Sequence, residues 1–274
     1  MKRFYLVVNM EKQMAARTRE TVEGALSALP GASFQTWDGP RRSHYELPEG
    51  TDCIITIGGD GTLIQTARAT VGSNVPLIGI NRGHLGYLTQ LKAEEDIAPA
   101  LKRLASGAYA LEERMMLEAE LWRGGVCTFR DLALNEVMLG RHNALRAIDF
   151  LVYVNGILLN EYLADGMIVA TPTGSTAYSL SAGGPIAKPQ AKLMILSPIC
   201  SHAVNSRSII LSPEDEVKLV PKTDTQFLTC DGDSVKPLRQ GDEVRVRRSS
   251  YVTRLVRLEN ESFLDTLRNK MTPV

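Results

Sequence analysis

The sequence predicts an α/β fold followed by a β fold. An N-terminal parallel-sheet domain spans residues 1–112, a mainly antiparallel β domain spans 113–256, and a C-terminal segment, 257–274, carries a helix that returns to the first domain. Three observations carry this reading. Apolar strands and helical stretches alternate through the first hundred residues, the pattern of a parallel sheet covered by helices. After about residue 112 the helical period gives way to strands joined by short turns. A glycine-rich turn, Gly58-Gly59-Asp60-Gly61-Thr62, stands directly after one of the early strands.

Each element follows from a local pattern. Apolar runs at 4–9, 52–58 and 76–81 read as strands, and stretches near 11–29, 62–72 and 94–106 read as helices. The segments 115–122, 147–154 and 243–247 read as strands of the second domain. Asn155-Gly156 between two such runs is a hairpin signal, because the tight turn needs residues that tolerate positive φ. One helix is expected to interrupt the β region, beginning near Ser175, with Ser175 or Thr176 as its cap. In the tail, Phe263, Leu264 and Leu267 give helical spacing over 260–270.

The 274 residues balance 31 Lys and Arg against 31 Asp and Glu, so no net field favours nucleic acid or an anionic membrane. Hydrophobic residues make up 44% and charged residues 23%, the proportions of a globular protein rather than a disordered one. No apolar run approaches the roughly 20 residues that span a bilayer, and the N-terminal run reads as a first strand rather than a signal peptide. Cys53, Cys127, Cys200 and Cys230 are far apart and lack zinc-finger spacing. Reduced, buried thiols in a cytoplasmic protein are expected.

The turn at 58–62 lies at the carboxyl end of its strand, where open α/β sheets place ligands. Its glycines let a ligand approach the backbone, and the amides opening the next helix suit phosphate oxygens. A carboxylate there, Asp60, repels a bare phosphate. Its presence implies a metal ion that offsets the charge, or a hydroxyl that donates to it. The structural alternative is a tight turn in which Asp60 caps the helix.

Three further segments have the composition of binding elements. Asn135 and Glu136 set an amide beside a carboxylate in an apolar strand, a pair able to hold a ribose diol or a base edge. The alternative is a strand-edge pair facing water. Asp165-Gly166 is again a carboxylate before an apolar run, with a hairpin turn as its alternative. The stretch 171–186 gathers Pro172, Gly174 and the hydroxyls of Thr173, Thr176, Tyr178 and Ser181 before a Gly-Gly-Pro stop, more than a structural loop requires. There is no Gly-x-x-x-x-Gly-Lys-Ser/Thr loop, and the dinucleotide fingerprint Gly-x-Gly-x-x-Gly fails after Gly61. Protein-kinase signatures and the zinc helix motif are missing as well.

Together these segments resemble the NAD kinases. The resemblance runs in order through Gly58 to Thr62, Asn81 to Thr89, Asn135-Glu136, Asp165-Gly166, the stretch 171–186 and Cys230-Asp231-Gly232. It departs locally. Asp233 stands where Gln is common, Leu163 where a basic residue is frequent, and Ala187-Lys188-Pro189 in place of Val-His-Pro, changes that bear on cofactor preference and nicotinamide contacts.

The resemblance implies transfer of the terminal phosphoryl group of ATP, or in some members of inorganic polyphosphate, to the 2′-hydroxyl of the adenosine ribose of NAD. It gives Asp60 the proton of that hydroxyl. The amides of Gly58, Gly59, Gly61 and Thr62, with Mg²⁺, hold the donor's phosphates, and Gly61 also meets the substrate. By the same resemblance Asn135 and Glu136 grip the adenosine part, while Thr173, Thr176, Ala177, Tyr178 and Ser181 line the dinucleotide groove. Asp165 orients the nicotinamide half, Asp231 is a supporting carboxylate, and Arg146 either contacts ligand or is an exposed hairpin charge. No protein residue is assigned as a metal ligand, and a homodimer or homotetramer is implied. Two competitors share part of the pattern, a lipid kinase of the diacylglycerol type with the same glycine turn and a non-catalytic NAD(P)-binding regulator. The Asn135-Glu136 pair and the 171–186 stretch argue against the lipid kinase.

Overall fold

The computed structural model describes residues 1–12, 14–40, 44–81, 86–91, 94, 96–141, 146–202, 206–258 and 262–271, with Ser234 described by its backbone. The chain divides into two compact units, Met1–Glu113 with Thr253–Val274, and Arg114–Val252.

The first unit runs β1 (Arg3–Val8), α1 (Ala15–Ser27), β2 (Ser33–Trp37), β3 (Cys53–Ile57), α2 (Asp60–Ala69), β4 (Leu77–Ile80) and α3 (Ile97–Ser106). Its strands lie in the order β2-β1-β3-β4, and all are parallel. All of β3 and β4 and all of β1 beyond Arg3 are buried, which is why these strands read as unbroken apolar runs. Val22 and Leu26 of α1 and Leu101 and Leu104 of α3 pack with Leu6, Ile55 and Ile78 in one core. The helices α1 and α3 start later than their sequence pattern, at Ala15 and Ile97, whereas α2 starts earlier, at Asp60 itself. The edge strand β2 was not anticipated. It is half exposed and carries no apolar run.

The chain continues through β5 (Ala110–Arg123), β6 (Val126–Ala133), β7 (Glu136–Arg141), β8 (Ile148–Val154), β9 (Ile157–Ala164), β10 (Gly166–Ala170), α4 (Tyr178–Ser181), β11 (Met194–Ile199) and β12 (Ile209–Leu211). It ends with β13 (Val217–Pro221), β14 (Gln226–Cys230), β15 (Asp233–Leu238), β16 (Glu243–Arg257) and α5 (Phe263–Met271). In the second unit β16, β13, β8 and β9 lie side by side, and β5 pairs with both β16 and β6. A separate six-stranded sheet has the order β12-β11-β10-β7-β14-β15, antiparallel throughout. Side chains of both sheets, among them Leu139, Phe150, Val169, Leu219 and Val244, share one core. The α/β plus β class read from the sequence is therefore observed. Asn155 at φ 51° and Gly156 at φ 78° make the expected turn, closing Val154 against Ile157. The far end of β16 lies beside β4, with Leu255 paired in parallel to Leu77, so the first unit takes its last strand from the end of the chain.

Two expectations need correction, the helix near Ser175 and the burial of all four thiols. The helix near Ser175 is a 3₁₀ turn over Gly174–Thr176 followed by the single turn of α4, and neither has a side-chain cap. The Ser175 hydroxyl is engaged elsewhere, donating to the Pro172 carbonyl at 2.6 Å and accepting the Ala187 N–H at 3.0 Å. The tail helix α5 forms and belongs to the first unit, as expected, with Phe263 and Leu267 half-buried and Leu264 69% exposed. Of the four free thiols, Cys53 and Cys230 are buried as expected, Cys127 is half-buried, and Cys200 is exposed. Among the described residues no helix is long and apolar enough to cross a membrane.

Candidate active site

At the carboxyl end of β3 the chain turns through Gly58 and Gly59 into α2. The Gly58 amide donates to the Ile80 carbonyl at 3.0 Å, tying the turn to β4, while the Thr62 and Leu63 amides return to the Gly59 carbonyl at 3.0 and 3.3 Å. Helical geometry leaves the N–H groups of Asp60 and Gly61, the first two helical positions, without intrahelical acceptors. The helix dipole adds partial positive charge at the same point. The sequence from 58 to 62 thus folds into an anion-receiving end.

Asp60 does not cap this helix. Gly59 is the cap residue, with no side-chain cap bond. The Asp60 carboxylate is held instead by the loop Gly86 to Thr89. Its Oδ2 accepts the Tyr87 N–H at 2.6 Å, and its Oδ1 accepts the N–H of Leu88 at 3.2 Å, the N–H of Thr89 at 3.1 Å and the Thr89 hydroxyl at 3.1 Å. Gly86 makes the approach possible, since a Cβ there would fall 2.1 Å from Oδ1. The Lys270 ammonium of α5 lies 4.4 Å from the Tyr87 ring centroid, a cation–π contact on the same loop. Within the segment Asn81 to Thr89 singled out from the sequence, Arg82 to Leu85 lie outside the described residues.

Beside Thr62 a cavity of about 450 Å³ opens at the carboxyl ends of β1 and β2. Trp37 and Tyr45 form an aromatic wall, their rings edge to face with centroids 6.5 Å apart, and Asn9, Glu11, Asp38 and Gln65 supply polar groups. A volume in this range accommodates a small organic ligand.

The second unit builds its own polar cluster around residues 134–136. The Asp231 carboxylate accepts the backbone N–H of Leu134 at 2.7 Å, of Asn135 at 2.8 Å and of Glu136 at 3.0 Å. From the other direction the Thr171 N–H donates to the Asn135 carbonyl at 2.8 Å and the Thr171 hydroxyl to the Leu134 carbonyl at 2.6 Å. Gly174 presses so closely on this strand end that a Cβ would sit 2.1 Å from the Asn135 carbonyl oxygen.

Glu136 is buried rather than water-facing, which removes the strand-edge alternative for its side chain. Burial first, and the Asp231 charge second, push its carboxyl up to about 8. Its Oε2 is buried with no hydrogen-bond partner. Leaving such a group unsatisfied costs about 1–3 kcal/mol, an arrangement that persists where a ligand supplies the partner.

The remaining residues singled out from the sequence divide by exposure. Thr173 is buried and its Oγ1 accepts from Arg114 Nη1 at 3.3 Å; Thr176 and Ala177 are half-buried; Tyr178, Ser181 and Arg146 are exposed. Asp165 lies between β9 and β10, which belong to different sheets, so it marks a crossover rather than a hairpin turn. It pairs with Arg141 at 3.1 Å. Sequence reasoning missed Arg114, the largest fully buried side chain among the described residues, and gave Gly86 and Thr89, inside the segment it singled out, no role around Asp60. Arg114 stands two residues before the buried Met116 on β5, in phase with an inward position, and that phase was the available signal.

Among the described residues no group of three or more His, Cys, Asp or Glu is placed to hold a metal ion. Magnesium needs no such cage when phosphates and water supply most of its ligands. Asp60, the single carboxylate of the 58–62 turn, fits an ion that arrives with a phosphorylated substrate.

Residues 1–109 match the family model of the ATP-NAD kinase N-terminal domain, and residues 134–258 match that of the ATP-NAD kinase C-terminal domain. The NAD kinase of Lachnospira eligens is 43% identical over 240 residues, 82% of each chain. The NAD kinase of Symbiobacterium thermophilum is 39% identical over 283 residues, 99% of each chain. Among solved structures, yeast NADH kinase complexed with NADH has a TM-score of 0.85 at 24% identity, covering 98% of this chain and 86% of that one. An NAD kinase from Archaeoglobus fulgidus in complex with ATP has a TM-score of 0.79 at 24% identity, covering 98% of both chains. Identities this low carry the fold.

Proposed function

The chain belongs to the NAD kinase family, and from that premise we propose that it transfers the terminal phosphoryl group of ATP to the 2′-hydroxyl of the adenosine ribose of NAD, forming NADP. The observation that carries the chemistry is the Asp60 carboxylate, fixed at the first position of α2 among orphan helix amides. Phosphoryl transfer has a loose transition state in which the attacking hydroxyl sheds its proton late, so placement of the acceptor counts for more than its basicity. Asp60 takes that proton.

The amides of Gly59 and Gly61 receive the donor's phosphates, whereas those of Gly58 and Thr62, expected to join them, are already bonded to the Ile80 and Gly59 carbonyls, and the cavity walled by Trp37 and Tyr45 has room for the donor's nucleoside. Magnesium, held chiefly by those phosphates with Asp60 as the nearest protein carboxylate of the turn, would neutralise their charge. In the second unit, Asn135 and Glu136 hold the adenosine of NAD. With its carboxyl raised to about 8, Glu136 is mostly protonated at neutral pH and offers one O–H donor together with acceptor oxygens, the complement of a ribose diol. Thr173, Thr176, Ala177, Tyr178 and Ser181 line the groove, Asp165 orients the nicotinamide half, Arg146 reaches ligand from its exposed position, and Asp231 fixes the backbone beneath Asn135 and Glu136. A cytoplasmic homodimer or homotetramer completes this reading.

Purified protein incubated with NAD, ATP and Mg²⁺ should yield NADP, and should leave diacylglycerol and sphingoid bases unphosphorylated. Phosphorylation of a lipid without NADP formation would return the chain to the lipid-kinase reading.

A further inference from the structure

We propose that the loop Gly86 to Thr89 positions the Asp60 carboxylate for turnover, with Thr89 and Gly86 as its two side-chain determinants; this rests on the role of Asp60 given above. A carboxylate has about two lone-pair directions on each oxygen, and this loop gathers three backbone N–H groups and one hydroxyl on the pair, crowding Oδ1 and leaving one direction of Oδ2 open among the described residues. The donors act on different oxygens. Tyr87 alone serves Oδ2, while Leu88 and both donors of Thr89 converge on Oδ1, so the plane of the carboxylate is fixed as well as its position.

A reacting hydroxyl can therefore donate to the open direction of Oδ2 while Oδ1 stays anchored by the loop. The three amides are tied into the backbone, whereas the Thr89 hydroxyl is, among the described residues, the one side-chain hold on Oδ1 and the one that a substitution can remove. Gly86 sets the closeness of the cradle. An added Cβ would meet Asp60 Oδ1 at 2.1 Å and Thr89 Oγ1 at 2.3 Å, so any side chain at 86 pushes apart the two groups that the loop holds together. The Asp60 side chain is thus placed from outside its own helix, by a loop 26 to 29 positions further along the chain.

The test compares Thr89→Val, Thr89→Ser and Gly86→Ala in steady-state kinetics with NAD and ATP, with Thr70→Val as a control. Thr70 is a buried threonine at the end of the same helix whose hydroxyl bonds the Thr66 carbonyl, far along α2 from the carboxylate. Thr89→Val should lower kcat on the order of tenfold, Thr89→Ser should recover most of that loss, and Gly86→Ala should cost about a hundredfold, the scale of an ångström-sized misplacement. KM for NAD and for ATP should stay within about twofold, and Thr70→Val should keep wild-type kcat. Wild-type kcat in both Thr89→Val and Gly86→Ala overturns the proposal, and so does a loss that appears in KM alone or equally in Thr70→Val. If Thr89→Val fails to fold, the comparison of Thr89→Ser with Gly86→Ala decides, because only the second displaces the carboxylate. Failure of the wild-type protein to form NADP is the separate result that removes the functional reading itself.

Discussion

Asp231 accepts the backbone N–H of Glu136 at 3.0 Å while its negative charge raises the proton affinity of the Glu136 side chain. One carboxylate therefore fixes the main chain of its neighbour and disfavours the neighbour's ionisation. Asp231 sits at φ 51° ahead of Gly232, a left-handed pair that turns β14 back into β15 and aims the carboxylate at residues 134–136. The hairpin and the polar cluster are one construction.

The raised carboxyl of Glu136 makes stability fall with pH. Between the ordinary value of 4.5 and about 8 the folded chain keeps a proton that the unfolded chain has lost, so stability declines as pH rises through this window. Glu136→Gln removes the titration. Denaturant melts of wild type and variant should show the variant gaining relative stability from about pH 5 to about pH 9, and parallel curves would mean that Glu136 ionises normally.

Glu136→Ala should weaken NAD binding on the order of tenfold to a hundredfold while leaving donor affinity unchanged, since lost hydrogen bonds of a buried carboxyl are worth about 1–3 kcal/mol. Calorimetry on the folded variant measures this directly. Unchanged NAD affinity would assign the unpartnered Oε2 a structural role.

Asp60→Asn preserves shape but removes the proton acceptor. Its turnover should fall roughly 10²–10⁴-fold with little change in NAD affinity. Near wild-type turnover in a folded variant would reduce Asp60 to an architectural residue joining α2 to the loop at 86–89.

Trp37→Ala opens the wall of the cavity beside Thr62 and should raise KM for ATP by about tenfold, with KM for NAD unaffected. Inorganic polyphosphate has no base to stack, so any activity with it should be insensitive to the change. Equal effects on both donors would place the nucleoside elsewhere.

Much of the fold was legible because the first unit writes burial directly into sequence. β3 and β4 are buried along their whole length and appear as unbroken apolar runs, and Asn155-Gly156 names its turn by its backbone requirement. β2 was not legible, since it is half exposed and carries no apolar run, and β9, largely exposed, was signalled only by the turn that precedes it. Within the site, Asp60 and Glu136 stood out by residue type and setting. Their surroundings did not. The Thr89 hydroxyl reaches Asp60 across 29 positions and Asp231 reaches Asn135 across 96, relationships with no local pattern. The hairpin turn offered as the alternative at Asp165 fails because turn chemistry is local, whereas the sheet joined by the next strand is decided by pairing far along the chain. Arg114 was passed over because a guanidinium on a strand normally faces solvent.

The parallel pairing of Leu255 with Leu77 bears on how the protein is made. A ribosome delivers β1 to β4 before the second unit, yet the far end of β16, which joins their sheet, follows that whole unit. The Ile80 end of β4 is bridged early by Leu91, but its Leu77 end must wait for β16 while the second unit is synthesised, and an open edge of buried-type strand is a point of self-association during that interval. A nonsense mutation before Thr253 would therefore damage the earliest part of the chain, and nascent protein would depend on chaperones most while β16 was still being translated.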